Sequence, residues 1–417
     1  MNDKPLYVVI DLKSFYASCE CASRHLDGFS TPLAVCDPTR GPNSIVMSTT
    51  PYLKIKYGAP SVCRRRDLPP VEGMILAQPR MAHYVEMSSR VVSIFLDFVD
   101  EPDLHVYSID ESFLNIGPYL AISKCTPEEY VARIQKRIKD ELGLIATAGI
   151  GPNMFMAKIC LDNDGKNNPP YLAHWTMEDV PTKLWRIAPI TKVWGISDGL
   201  ERRLKTMGIR NLEQLAKTSP EILKKQFGIL GQQLHDLANG IDRTDIRDKY
   251  VPKDTHISVG QVLQRDYVAS EAKLILREMC DDLSLRLRLT GRKSSLVSLF
   301  VGYSSDGVAS LSHQLSLDKP TDDNDVLFAA LMVLFARYIG PFPVKDLGIG
   351  FGKLGSYQTE QLDVFESSEE TDETRNLRKA IDKIQMAYGR NACLRLSSLT
   401  AASTIHERHQ QIGGHKA

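Results

Sequence analysis

The sequence predicts an α+β fold in several domains, and three observations carry that prediction. At 417 residues the chain is too long for one ordinary core, so two to four domains are expected. Short apolar runs that read as buried strands alternate in the first half with longer stretches at helical spacing. Between residues 255 and 355 the predicted elements follow one another as βαββαβ, the split motif. Hydrophobic content of 43% and charged content of 24% are those of a folded, water-exposed protein. Lysine plus arginine and aspartate plus glutamate both total 51, so affinity for a polyanion has to come from local basic patches. The opening Met1-Asn2-Asp3-Lys4-Pro5 has no signal-peptide pattern, and no apolar run reaches the length of a membrane span. Cys19, Cys21, Cys36, Cys63, Cys125, Cys160, Cys280 and Cys393 form no Cys-x-x-Cys pair, which points to reduced thiols in a cytoplasmic protein without membrane contact.

Taken in order, Tyr7-Val8-Val9-Ile10 reads as a buried strand closed by Asp11. Residues 22 to 80 read as irregular, rich in Gly, Pro and turn residues, and carry Tyr52, Lys54, Lys56 and the run Arg64-Arg65-Arg66. Tyr84, Val91 and Phe95 mark a helix leading to a hairpin, in which Leu104 to Tyr107 and Phe113-Leu114 flank Ser108-Ile109-Asp110-Glu111-Ser112. Neighbouring side chains diverge on a regular strand, so Asp110 and Glu111 reach one site only if the backbone turns or bulges there. Thr126-Pro127-Glu128-Glu129 has the cap, proline and acidic first turn of a helix start. That helix ends at Gly143, and Leu144 to Ile150 follow as a buried strand. Asn153 opens the next helix, through Cys160, with Lys166 in a polar loop beyond it. Gly195-x-x-x-Gly199 then forms a hairpin between short helices, where glycine lets backbone N–H groups approach a phosphate beside a helix N-terminus.

A charged linker, 242 to 254, precedes a strand at 255 to 264 and a long helix capped by Ser270 and stopped by Gly291. Strands follow at Leu296 to Tyr303 and Leu311 to Leu317, then a helix opened by Thr321-Asp322-Asp323 and reaching Tyr338, then a strand at Val344 to Phe351. In the tail, an acidic run from Glu366 to Glu373 precedes Leu377, Ile381, Ile384 and Tyr388, the stripe of one amphipathic helix.

Asp11, Asp110 and Glu111 converging on one spot describe a divalent-metal site. Mg²⁺ prefers oxygen ligands and is usually held by one or two carboxylates together with substrate phosphates. Two such ions roughly 3.5–4 Å apart clamp the attacking and leaving oxygens of an in-line phosphoryl displacement. Asp11-x-x-x-Phe15-Tyr16-Ala17-Ser18-Cys19-Glu20, with Ser108-Ile109-Asp110-Glu111 further on, resembles the paired catalytic motifs of the Y-family translesion DNA polymerases, in particular their UmuC/UvrX-like branch.

The resemblance spans essentially residues 1 to 365 and implies a polymerase right hand. It puts a catalytic palm at 1–21 and 81–171, fingers at 22–80, a thumb with a helix-hairpin-helix at 172–245 and a linker at 246–254. A βαββαβ little finger follows at 255–355 and a tail at 356–417. It implies that Asp11, Asp110 and Glu111 are the catalytic residues and, with the Leu12 carbonyl, bind two Mg²⁺ ions. Phe15 and Tyr16 then lie at the incoming dNTP, Tyr16 under the sugar as a steric gate against ribonucleotides, while Tyr52 and Lys166 reach the triphosphate. Gly195 and Gly199 meet the DNA backbone, and Arg286, Arg288, Arg292 and Lys293 form a basic cluster near the duplex. In the family's pattern a Tyr is followed three residues later by an Arg; here Tyr52 is followed by Ile55, leaving Lys54 or Lys56 as the cation. The spacing to Lys166 is one residue longer than in many members, so Lys158 is the alternative.

Gln361-Leu362-Asp363-Val364-Phe365 resembles the Gln-Leu-x-hydrophobic-Phe peptide with which bacterial polymerases hold the sliding clamp, through Gln361, Leu362 and Phe365. Implied overall is low-fidelity DNA synthesis from dNTPs on primer-template DNA past lesions, without proofreading, in SOS damage tolerance. The sliding clamp and an SOS activating protein are the implied partners. Two rival classes share part of the pattern: nucleotidyl cyclases, which lack the hairpin thumb, little finger and clamp peptide, and a non-catalytic clamp-bound scaffold, which has no need of all three carboxylates.

Overall fold

The computed structural model describes residues 5–167, 169–249, 255–305, 307–356 and 368–417. The chain divides into two compact units, Met1–Tyr250 and Val251–Lys416. In chain order the first unit opens with β1 (Tyr7–Leu12), α1 (Phe15–Ala22), β2 (Leu33–Cys36), β3 (Ile45–Thr49), α2 (Pro51–Tyr57), β4 (Cys63–Arg64) and β5 (Ile75–Ala77). It continues with α3 (Met81–Leu96), β6 (Leu104–Val106), β7 (Glu111–Asn115), α4 (Gly117–Ser123), α5 (Pro127–Leu142), β8 (Ala146–Gly151), α6 (Met154–Cys160) and β9 (Leu172–His174). Five helices close it: α7 (Asp179–Thr182), α8 (Asp198–Thr206), α9 (Leu212–Lys217), α10 (Pro220–Phe227) and α11 (Ile229–Ala238).

β1 is the middle strand of a five-stranded sheet ordered β6-β7-β1-β8-β9, which is why its run is apolar on both faces. Val8, Ile10 and Leu12 pack into the core shared with α3 and α5. Tyr7 and Val9 face the other way, with Phe113 of β7, against Ala157 of α6 and Leu161 beyond it. Alternation along the strands therefore carries Asp11 and Glu111 to the α6 side of the sheet. α5 is built as its sequence predicts: Thr126 Oγ1 accepts from the Glu129 N–H while Glu129 accepts from the Thr126 N–H, and Gly143 follows at φ +67°. Asn153 caps α6 through the Met156 N–H at 2.8 Å.

Residues 22 to 80 are not irregular. They hold a four-stranded sheet, β4-β3-β2-β5, with its own apolar cluster around Val46 and Leu53. Strands of two to five residues are too short for a period of two to register, and all four residues of β2 are buried, so they show no alternation at all.

The second unit runs β10 (His256–Tyr267), α12 (Ala269–Leu289), β11 (Ser294–Tyr303), β12 (Leu311–Thr321), α13 (Asn324–Tyr338) and β13 (Val344–Gly352). This is the expected βαββαβ order, in an antiparallel sheet β10-β13-β11-β12. Both helices cover one face, burying Val297, Leu299, Val301, Leu347 and Ile349. Ser270 is not the cap of α12. The helix starts two residues earlier than such a cap implies, and Glu271, held by Arg265, accepts from the Val268 N–H at 3.2 Å, so a carboxylate at the third helical position satisfies the end that a serine was expected to satisfy.

The tail continues as α14 (Ser368–Tyr388), α15 (Ile405–His409) and the hairpin β14 (Gln411–Ile412) and β15 (His415–Lys416). It docks by charge. Arg288 grips Asp382 through two nitrogens at 2.7 and 2.8 Å, Arg395 reaches Asp281 at 2.7 Å, and Arg408 and His409 meet Asp282 at 2.7 and 2.8 Å. Of the apolar stripe, Leu377 is 61% and Tyr388 80% exposed, because α14 presents Arg378 and Asp382 to the body instead. Among the described residues no helix is long and apolar enough to cross a membrane.

Candidate active site

Asp11 and Glu111 stand directly opposite each other on the antiparallel pair β1 and β7, so their side chains leave the sheet side by side. Asp110 lies outside the ladder, in the turn expected from the sequence. The N–H groups of Tyr107 and Ser108 both donate to the Glu111 carbonyl at 3.0 Å, and the Leu12 N–H donates to the Asp110 carbonyl at 2.9 Å. Ser108 Oγ donates to Asp110 Oδ1 at 2.7 Å. The turn brings the third carboxylate to the end of β1, beside Leu12.

α6 supplies the opposing charge. It approaches the sheet closely because β8 has no side chain where they cross: a Cβ on Gly149 or Gly151 would sit 2.3 or 2.4 Å from backbone nitrogens of Leu161 and Ala157. Lys158, on that helix, donates to Glu111 Oε2 at 2.9 Å and to Asp162 at 3.1 Å. Lys166 lies 2.9 Å from Asp11 and 3.1 Å from the same Asp162 oxygen. Lys166 was expected in a polar loop; it ends a π-turn, Leu161–Gly165, with its N–H donating to the Leu161 carbonyl at 3.0 Å. A π-turn accommodates one extra residue without unwinding the helix, which is how the longer spacing still delivers Lys166 to Asp11. Lys158 has 9% of its side chain exposed and Lys166 33%, so Lys166 is the more accessible of the two lysines.

Burial pushes the Asp11 carboxyl up, with Lys166 working against it. It does the same to Glu111, with Lys158 opposing. Burial disfavours the charge on Lys166, but the Asp11 and Asp162 carboxylates outweigh it and hold its ammonium above the ordinary range. As they stand, no three Asp, Glu, His or Cys side chains among the described residues are arranged to ligate one ion, since each carboxylate is turned to a lysine or to Ser108. The donor set nevertheless suits Mg²⁺. Glu111 Oε1 is buried with no hydrogen-bond partner, and a divalent cation is the kind of partner that offsets such an atom.

Lys13 joins the lysines expected here. Lys13 Nζ donates to the Lys166 carbonyl at 3.0 Å and lies 4.6 Å over the Tyr171 ring, tying the π-turn to β1. Lys54 is half-buried, and its pKa is pulled down by burial first and then by the Lys13 ammonium, with Asp11 opposing. Lys56 is otherwise engaged: it donates to Tyr52 Oη at 2.9 Å and lies over the Tyr52 and Tyr57 rings. Ile55 is 73% exposed. Asp162, which the sequence reading passed over, had one signal, its place four residues after Lys158.

Phe15 is a core residue, 3% exposed, so its ring backs Tyr16 at 5.6 Å and is not open to a nucleotide. Tyr16 is half-buried, and burial, then the Asp110 carboxylate, raises its phenol. Gly195 is in the left-handed region at φ +91° with nothing near its Cβ position. Gly199 lies in the first turn of α8, which Ser197 caps. Trp194 beside them packs edge-on against Tyr107 at 6.0 Å, linking this hairpin to the acidic one. A second glycine turn was not anticipated: Gly228, at φ +65°, joins α10 to α11, and a Cβ on Gly231 would lie 2.2 Å from the Leu223 carbonyl oxygen.

The expected basic cluster does not hold together. Arg288 is spent on Asp382, Asn324 and the Asp322 carbonyl, because the tail presents a carboxylate where the duplex was expected. Arg292 and Lys293 are half-buried and have partners of their own, while Arg286 is exposed. The open face of the second unit's sheet is instead lined by the small residues Ser258, Gly260, Ser298, Ser312 and Gly348, together with Phe300 and Asp346. Gln361, Leu362 and Phe365 lie outside the described residues.

Residues 10–162 match the impB/mucB/samB family, 255–364 its C-terminal domain, and 194–242 the DNA polymerase-iota thumb domain. The chain is 35% identical to UvrX of Bacillus subtilis (strain 168), a protein named for UV-damage repair, over 98% of this chain and 97% of the relative. It is 32% identical to DNA polymerase IV 2 of the same organism over 100% and 99% of the two chains. Among solved structures, a Y-family DNA polymerase chimera covers 84% of this chain, and 99% of its own is covered, with a TM-score of 0.66. At 18% identity that is a likeness of fold.

Proposed function

The chain belongs to the impB/mucB/samB family of Y-family DNA polymerases, and from that membership we propose that it is a template-directed DNA polymerase of the lesion-bypass type whose centre is Asp11, Asp110 and Glu111. The observation that carries this reading is the register that sets Asp11 opposite Glu111, with Asp110 turned in beside them. The three carboxylates and the Leu12 carbonyl would hold the divalent ions, which would supply activation of the primer 3′-hydroxyl and charge stabilisation of the pyrophosphate leaving group. Lys158 keeps Glu111 in place through its 2.9 Å contact, and Lys166 exchanges Asp11 for the triphosphate. Tyr16 bars a 2′-hydroxyl. Gly195 and Gly199 meet the DNA backbone without reading its sequence. Low fidelity, absence of proofreading, and SOS service in the cytoplasm with an activating protein follow from the same family reading.

The test is primer extension by the purified chain with Mg²⁺ and the four dNTPs, on an undamaged template and on one with an abasic site. Templated extension on both is expected. A cyclic nucleotide product, or clamp binding without extension, would replace this reading with one of its rivals.

Lys54 is the cation that serves in place of an arginine at Ile55, since the charges of Lys13, Asp11 and Lys166 act on it while Lys56 is held by Tyr52. Lys54→Ala is expected to raise the KM for dNTPs about tenfold, the worth of one charge-assisted contact, and Lys56→Ala to change it little. The reverse pattern in steady-state kinetics assigns the role to Lys56. Gln361, Leu362 and Phe365 are proposed to dock on a bacterial sliding clamp. Leu362→Ala is expected to weaken clamp binding about thirtyfold, as losing an interface anchor does, and to leave clamp-free synthesis unchanged. Equal clamp affinity in a binding assay counts against the peptide.

A further inference from the structure

Tyr16 and Glu20 are four residues apart and so share one face of α1, and Tyr84 of α3 engages both. The Tyr84 ring lies 4.7 Å from the Tyr16 ring at 33° between planes, and its hydroxyl donates to Glu20 Oε1 at 2.8 Å. Both Tyr84 and Glu20 are 0% exposed. The Glu20 carboxylate is further held by Arg80 Nε at 2.8 Å and by Arg24. Arg80 also donates to Ser23 Oγ at 2.7 Å, so α1 and the start of α3 are laced together along that face. Burial opposes the Glu20 charge, but the Arg80, Arg24 and Tyr84 donors together hold it below its ordinary value. Burial and the neighbouring Glu20 anion raise the Tyr84 phenol, which keeps it a donor. The Tyr16 ring thus has a rigid aromatic wall on one side, with Phe15 at 5.6 Å adding to its support.

We propose that Tyr84 is a positioning residue for sugar selection, fixing the Tyr16 ring where a 2′-hydroxyl would have to fit. The proposal rests on the reading of Tyr16 as the gate. A flat ring packed against Tyr16 holds it in place, whereas a flexible side chain at that position lets it swing aside. The packing surface sets selectivity, and the Tyr84 hydroxyl only anchors that surface.

The experiment measures kcat/KM for a dNTP and for the matching rNTP in single-nucleotide insertion. Tyr84→Leu is expected to lower the dNTP preference on the order of tenfold, the lower end of what a misshapen contact costs in discrimination. Its dNTP insertion should stay within a few-fold of wild type. Tyr84→Phe, which keeps the ring, should restore the wild-type preference. The double variant Tyr16→Ala/Tyr84→Leu should be no more permissive than Tyr16→Ala alone, because the wall acts through the gate. If Tyr84→Leu does not fold, Tyr84→Met, similar in volume but flexible, is read in the same way. An unchanged preference in the Leu or Met variant, or equal losses on both substrates, overturns the proposal and leaves the gate standing. A Tyr16→Ala variant that still rejects rNTPs like wild type removes the gate and the proposal with it.

Discussion

Asp110→Asn is expected to slow primer extension by two to three orders of magnitude, roughly the loss seen when one preorganised charge-stabilising group is removed from a catalytic centre. Primer-template binding should persist. The substitution keeps the shape of the turn, since an amide oxygen still accepts from Ser108 Oγ, now at 2.7 Å from Asp110, and the Leu12 N–H still meets the residue 110 carbonyl. Only the negative charge is lost, and that charge is what a pair of divalent cations needs beside a triphosphate. Single-turnover extension near the wild-type rate would take Asp110 out of the metal site.

Lys166→Ala is expected to raise the KM for dNTPs by up to about a hundredfold, because a hydrogen bond to a charged group contributes roughly 1.5–3 kcal/mol. The maximal rate should change far less if the contact exists equally in the ground state and the transition state. Lys158→Ala should behave differently. Its partner Glu111 is buried, and removing one half of a buried ion pair costs about 3 kcal/mol or more. The first sign is then a lower denaturation midpoint. If Lys158→Ala gives the KM effect and Lys166→Ala does not, the accessible lysine has been misidentified.

The sequence was most readable where a local rule had no competitor. The caps of α5 and α6, the strand that closes at Asp11 and the turn that frees Asp110 all follow from residues within one or two turns of themselves. The βαββαβ order of the second unit was legible because its strands run nine to twelve residues, long enough to show their period. The sheet at 22 to 80 was not, its strands being too short. The ion pairs were hidden for another reason. Nothing local to Arg288 announces that Asp382, 94 positions away, will claim it, and nothing in α1 announces Tyr84 on a different helix. The π-turn sits between these cases: one extra residue before Lys166 was visible as an irregular spacing, and only the close approach of α6 to Gly149 and Gly151 shows how that residue still comes beside Asp11.

The central claim is that three carboxylates, two on facing strands and one in a turn, hold the ions for nucleotidyl transfer. Calorimetric titration of Mg²⁺ into the complex of this chain with a dideoxy-terminated primer-template and the next dNTP tests it most directly. Two ions per chain are predicted for the wild type, and at most one for Asp110→Asn. Two ions bound with undiminished affinity by the variant, or no ion beyond the one that the nucleotide carries in the wild type, would contradict it.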